Sequence, residues 1–236
     1  MQLVKAYKNP EFLLSEDART VRILCEYLEP KRRFRKLGIR NAVIFFGSAR
    51  LRTSPLARDY FATAADFAEQ LAAWTRGAHP PGERYAICTG GGPGIMEAVH
   101  EGAARVDRSL NIGLNISLPF EQHINPHVEP ENAFEFHYFF MRKFWFLNLA
   151  RGAVIFPGGF GTMDELFELL TLTQTGKSSP MPIVLFGKDF WESMVNFRGL
   201  ADWGLISEAD LQLFKLCDTV EEAMDFLRAE LKPKTG

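Results

Sequence analysis

Cysteine is scarce in this chain. Cys25, Cys88 and Cys217 are odd in number, far apart, and form no CxxC pair. That pattern excludes a disulfide framework and a thiolate zinc site, and predicts reduced, buried thiols in a cytoplasmic protein. Long apolar runs are missing too, since none approaches the ~20 residues needed to span a bilayer. The amino end, MQLVKAYKNPEF, lacks the apolar stretch of a secretory signal. Charge of one sign is also lacking. Lys and Arg number 27 against 29 Asp and Glu, and a net charge of -2 gives no bulk attraction for nucleic acid or anionic membrane. Solenoid repeats, low-complexity segments and an interdomain linker are likewise absent.

What remains is the composition of an ordinary globular protein, 47% hydrophobic over 236 residues, enough for one sizeable α/β core. Asn41 to Phe46, Tyr85 to Cys88, Asn111 to Ser117, Ala153 to Phe156, Pro182 to Phe186 and Leu213 to Cys217 read as short buried strands. Phe134 to Phe140 alternates aromatics on one side, a further strand signature. Helical spacing covers Ser15 to Glu29 with Ser15 as N-cap, Asp59 to Trp74, Ile95 to Val106, Met163 to Thr173, Lys188 to Leu200, and Val220 to Leu231 capped by Thr219. Gly77 to Glu83 reads as a loop. Residues 1–40 form a helical extension ahead of a single domain over 41–236. Strands alternating with helices predict a doubly wound, mainly parallel sheet with helices on both faces. The basic run Lys31-Arg32-Arg33-Phe34-Arg35-Lys36 reads as a solvated helix end or partner contact rather than a nucleic-acid patch, because the overall charge offers no support.

Right-handed βαβ units place every strand end and the following helix start on one edge of such a sheet. Gly47-Ser48, the Gly90-Gly91-Gly92-Pro93-Gly94 turn, Arg142-Lys143 and the Pro157–Glu165 turn therefore gather there. Glycines let backbone amides approach a ligand, and a helix start presents free N–H groups, so a phosphate is the natural guest. Arg142 adds a planar fork and Lys143 a point charge. Glu165 is the one carboxylate placed inside the pocket, where it can stabilise an oxocarbenium-like transition state as an N-glycosidic bond breaks. Asp164, Glu165 and Glu168 also suit a helix N-terminus on dipole grounds alone. Ser48 reads equally as a nucleotide contact and as a turn residue. Glu121 lies on the long 118–133 connection, which can close over the base. Phe139, Phe140, Phe144, Trp145 and Phe146 suit base stacking or core packing. His100 and His137 read as structural or solvated, and Pro126 disrupts any two-histidine metal face at His123 and His127, so no metal or cofactor is called for.

PGGFGTMDE at Pro157–Glu165 resembles the PGGxGTxxE signature of the LOG family, cytokinin riboside 5'-monophosphate phosphoribohydrolases often labelled "lysine decarboxylase". Arg142-Lys143 matches that family's paired RK, and Gly90 to Met96 is similar to its GGGxxGLM. The resemblance covers roughly 41–200. It implies a Rossmann-like fold, a homodimer, and hydrolysis of nucleoside 5'-monophosphates (AMP or an N6-modified AMP) to free base and ribose 5-phosphate. Arg142 and Glu165 would be catalytic. Lys143, Gly158, Gly159, Phe160, Gly161, Thr162 and Thr171 would contact the nucleotide, alongside Gly47, Ser48, Gly90, Gly91, Gly92, Gly94 and Glu121. Pro93, Glu97, the insertion at 77–83 and the amino extension depart from the family pattern and bear on substrate preference. The rival expectation is a non-catalytic nucleotide or cofactor carrier of the same fold, such as a molybdenum cofactor carrier. A Schiff-base decarboxylase lacks an obvious pyridinium partner, and GGGPG is not the dinucleotide fingerprint GxGxxG.

Overall fold

The computed structural model describes residues 3–50, 60–118 and 123–231. Its strands are β1 (Asn41–Phe46), β2 (Tyr85–Thr89), β3 (Asn111–Ile116), β4 (Ala133–Phe136), β5 (Ala150–Ile155), β6 (Ile183–Phe186) and β7 (Lys215–Cys217). Its α-helices are α1 (Pro10–Leu14), α2 (Arg19–Leu37), α3 (Tyr60–Ala78), α4 (Ile95–Asp107), α5 (Phe139–Leu149), α6 (Phe160–Gln174), α7 (Lys188–Met194), α8 (Phe197–Asp202) and α9 (Val220–Glu230). Among the described residues the strands form one seven-stranded sheet in the order β4-β3-β2-β1-β5-β6-β7. Every pair is parallel. The fold is the α/β, Rossmann-like doubly wound sheet that the alternation predicts.

Burial explains why the central strands read as continuous apolar runs. Side chains alternate across a strand, and here both faces are covered. Val43 and Phe45 of β1 pack into a core with Phe67 and Leu71 of α3, Val99 of α4 and Leu227 of α9. Ala42, Ile44 and Phe46 face the other way, toward Phe34 of α2, Phe146 of α5, Leu166 of α6 and Trp191 of α7. The chain winds outward from β1 to β4, then returns to lay β5 against the other side of β1. The reversal opens a crevice at the carboxyl ends of β1 and β5, the place where doubly wound sheets hold ligands.

Several local expectations are corrected. Ser15 does not start the long amino-terminal helix; its hydroxyl donates to Phe12 O at 2.6 Å and closes α1. α2 runs on through Pro30 and takes up the basic run before Gly38 ends it with φ 71°. The predicted strand over 134–140 stops at Phe136, and Phe139 begins α5. α3 extends to Ala78, into the stretch that reads as a loop. The predicted helix over 188–200 is two helices, because Asn196 accepts from Gly199 N–H at 2.8 Å and starts α8 afresh. Cys25 is exposed, whereas Cys88 and Cys217 are buried as expected.

Glu26 ties two of these regions together. Proline lacks an N–H, so a proline inside a helix strands the carbonyl four residues earlier. Pro30 frees the carbonyl of Glu26, which accepts from Trp145 Nε1 at 2.9 Å. The Glu26 carboxylate reaches the same helix. Oε1 accepts from His137 N–H at 2.8 Å and Oε2 from Tyr138 N–H at 3.2 Å. Those N–H groups lie at the start of α5, where a negative charge also suits the helix dipole. The cap thus comes from another helix, and it turns an alternating aromatic run away from strand. Glu26→Ala should cost about 1–2 kcal/mol, as other lost helix caps do. At roughly 2–4 °C per kcal/mol for a chain of this size, the thermal unfolding midpoint should fall by about 2–8 °C.

Candidate active site

The loops that follow β1, β2 and β5 are stitched together by main-chain hydrogen bonds. Phe156 N–H donates to Phe46 O at 2.8 Å, Ser48 N–H to Pro157 O at 3.0 Å, and Ile95 N–H to Ser48 O at 3.1 Å. These bonds carry the Gly47-Ser48, Gly90–Gly94 and Pro157–Gly159 segments to one edge, as the winding rule predicts. Ser48 serves this frame, since its hydroxyl accepts from Arg50 N–H at 3.0 Å in a local turn.

Gly94 is required by the contact itself. Its φ is +71°, and a Cβ there would run into the Ser48 carbonyl. Gly94→Ala should therefore destabilise the fold by on the order of 1–3 kcal/mol, the usual range for strained backbone, read as an earlier midpoint in urea unfolding. Gly158 is similarly pressed against the Thr162 side chain. Gly159 and Gly161 differ. Among the described residues a Cβ at either would meet nothing within 4 Å, and Phe160 between them is 96% exposed. Gly159 is the N-cap of α6 and supplies no side-chain cap, so the first N–H groups of that helix are left without a side-chain partner from the N-cap.

The second glycine turn is held from behind. Asn125 N–H donates to Gly91 O at 2.7 Å, and Asn125 Nδ2 donates to the same oxygen at 3.0 Å. Thr89 Oγ1 accepts from Gly91 N–H at 2.9 Å. His100, fully buried beneath, lies 3.0 Å from Asn125 Nδ2 through Nδ1 and 3.2 Å from Ile112 O through Nε2. Burial holds its pKa down to about 4, so the ring is neutral, with Nδ1 accepting from Asn125 and Nε2–H donating to Ile112. His100 is thus structural, one of the two roles its sequence allows. Asn125 is a positioning residue that no periodicity or motif marks.

Arg142 sits one turn into α5 and Glu165 in the second turn of α6. β5 runs back between the two helices and brings these side chains together. Arg142 Nη2 lies 3.7 Å from Glu165 Oε1, and the two side chains are 15% and 7% exposed. The guanidinium stands over the rings of Phe139 and Phe146, at 5.0 and 5.8 Å from their centres. Its Nη1 lies 4.0 Å from where a Gly90 Cβ would be, so it also looks onto the second glycine turn. Arg142 Nε is buried with no hydrogen-bond partner among the described residues.

The electrostatics give Glu165 a titration close to neutral pH. Burial raises the Glu165 carboxyl to about 7, against the opposing pull of Arg142 and Lys143, while Glu168 and Asp164 push it further up. Burial lowers the pKa of Arg142, and Glu165 partly restores it. Lys143 has acidic partners that the sequence expectation did not include. Its ammonium meets Asp164 and Glu168, each at 2.9 Å. Burial opposes its charge, but those two carboxylates outweigh burial and raise its pKa. The three acids of α6 therefore divide the work: Glu165 faces Arg142, while Asp164 and Glu168 hold Lys143.

Thr162 is buried at the turn, whereas Thr171 is exposed about two and a half helical turns farther on, roughly 14 Å along α6. It is outside this cluster within the chain. Glu121 lies outside the described residues. Phe139, Phe140 and Phe144 are 52%, 51% and 39% exposed, and Trp145 and Phe146 are core.

Comparison with known proteins bears on the family and the fold. The family described as "Possible lysine decarboxylase" matches residues 96–227, which include Arg142, Lys143 and the whole Pro157–Glu165 turn. Two similar proteins, from Escherichia coli strain K12 and from Escherichia coli O157:H7, are both named "Pyrimidine/purine nucleotide 5'-monophosphate nucleosidase". Each is 35% identical over 133 residues, covering 50% of this chain and 27% of its own. The chain thus spans about a quarter of the length of these curated relatives. Among solved structures, the molybdenum cofactor binding protein from Rippkaea orientalis aligns with a TM-score of 0.52 at 16% identity, over 81% of this chain and 98% of that one. At that identity the likeness bears on fold alone.

Proposed function

The chain belongs to the family described as "Possible lysine decarboxylase", the LOG family, and from that membership and the site's geometry we propose that it hydrolyses the N-glycosidic bond of a nucleoside 5'-monophosphate. The substrate class is AMP or an N6-modified AMP, and the products are free base and ribose 5-phosphate. The observation that carries this reading is the Arg142–Glu165 pair, 3.7 Å apart beside two glycine turns. Among the described residues no neighbour keeps Gly159 and Gly161 small, which supports a role in letting a ligand approach the backbone closely. The phosphate would rest on the amides of that turn at the start of α6.

In the reaction, water oxygen bonds to the sugar's anomeric carbon as the bond from that carbon to the base nitrogen breaks. Positive charge grows on the sugar ring between the two events. Glu165, held near 7 by burial, is ionised in a large fraction of molecules at neutral pH and can stabilise that charge or take the water's proton. The leaving nitrogen takes a proton from water, or a hydrogen bond from Arg142.

Two other readings use the same fold. A Schiff-base decarboxylase needs a neutral lysine, and Lys143 is held as an ammonium between two carboxylates. A carrier would bind the nucleotide without breaking it. Incubation with AMP and chromatography of the products separates these readings: adenine and ribose 5-phosphate appear together under the nucleosidase reading, and neither appears under the carrier one. Adenosine should stay intact. Turnover of adenosine equal to that of AMP would contradict the phosphate cradle.

A further inference from the structure

A cleft of about 450 Å³ lies between α2 and α5, and neither Arg142 nor any residue of the glycine turns is among its lining. Its walls are aromatic. Tyr27 lies 5.6 Å from Phe144 and 5.8 Å from Trp145, ring centre to ring centre, and Phe34 lies 5.2 Å from Trp145. Its remaining charged lining is Lys31, Arg35 and Arg40, and none of the side chains lining it among the described residues is acidic. This asymmetry stands out in a chain whose acids outnumber its bases. None of the three cations forms an ion pair among the described residues. Lys31 instead reaches Tyr27 Oη at 3.4 Å and stands 5.2 Å from that ring's centre. Arg33, by contrast, is neutralised by Glu29 at 3.1 Å and lies outside the lining.

The cleft is built rather than incidental. Lys31 and Arg35 are one helical turn apart on α2, so they share a face, and Arg40 follows the helix end. α2 is fixed on α5 by the Glu26 bonds to Trp145, His137 and Tyr138. Rings on the walls and unpaired cations at the rim suit a guest that is flat, apolar and negatively charged.

We propose that this cleft is a second binding site, distinct from the Arg142–Glu165 site, for a small aromatic anion: a flat ring carrying a phosphate, sulfonate or carboxylate. The inference stands independently of the reaction assigned above. Its charge selectivity is what distinguishes it from a bare apolar surface.

The test uses two dyes that differ in one group, 8-anilinonaphthalene-1-sulfonate and its neutral counterpart N-phenyl-1-naphthylamine, titrated by fluorescence into the whole protein. The sulfonate should bind at one site per chain, at least about tenfold more tightly than the neutral dye, because charge-assisted contacts carry the difference. Arg35→Ala combined with Arg40→Ala should weaken it by about tenfold or more, with the fold checked by circular dichroism. Both arginines are exposed, so that variant removes charge and not core. Arg142→Ala should leave the sulfonate's binding unchanged. Equal affinity for both dyes, or no loss in the double variant, would overturn the proposal. So would sedimentation showing that the double variant dissociates a dimer, because a second copy would then be the occupant.

Discussion

Glu165→Gln is expected to lower the rate of AMP cleavage by about 100–1000-fold, the loss seen when one preorganised charge contact is removed from a transition state. The substitution keeps the shape of the side chain and removes only its ability to ionise. Burial raises the carboxyl to about 7 in the folded chain, so the wild-type rate should climb with pH and level off above about 7. In Glu165→Gln that rise should vanish. The same group makes a second, opposite prediction for stability. Its ordinary value is 4.5, so between 4.5 and about 7 the folded chain holds a proton that the unfolded chain has lost. The stability owed to this group is therefore complete below 4.5 and is lost as pH rises through about 7. By pH 8 the loss is on the order of 2–3 kcal/mol. Glutamine carries no such liability, so relative to wild type Glu165→Gln should gain that amount between pH 5 and pH 8, measured by urea unfolding at both. An inactive variant without this gain would mean that the carboxylate is not desolvated in the free protein.

Much of this architecture is legible in the chain because it rests on local chemistry and on handedness. NAVIFF at 41–46 can only be a strand buried on both sides, and it becomes β1 without a residue's difference. Once strands and helices alternate, the winding rule alone sends Gly47, Gly90, Arg142 and Glu165 to one edge, although their positions in the chain are far apart. The illegible parts share another cause. Glu26 caps α5 across 111 residues, and Asn125 grips Gly91 across 34. Neither bond leaves a period, a spacing or a composition behind. The pairing of Lys143 with Asp164 and Glu168 is of the same kind, because no local spacing shows a lysine on one helix which acids of another helix it meets. The breadth of the inward face of α6 is a subtler case. Met163, Leu166, Phe167 and Leu170 keep helical spacing, yet Phe167 is 39% exposed while Glu165 is buried. An acid in place of an apolar residue on a buried face is where local consistency yields to function.

Arg142→Ala should be as damaging as Glu165→Gln, about 100–1000-fold in kcat/KM, and the two together little worse than either alone. The reason lies in how they hold each other. Arg142 is the largest influence opposing the burial of Glu165. Without it the carboxyl should titrate still higher than about 7, and the rise in rate with pH should move to more alkaline values. Raising the pH should then recover part of the activity of Arg142→Ala, and none of that of Glu165→Gln. Arg142→Lys should not restore the wild-type rate, because a planar guanidinium reaches Glu165 with Nη2 while Nη1 looks toward Gly90, and an ammonium offers a single point of charge. Groups that act as a unit give strongly non-additive losses. If the two single losses simply multiplied in the double variant, Arg142 and Glu165 would be acting on different parts of the substrate, and the paired-site mechanism would fall while the fold and the cradle stood.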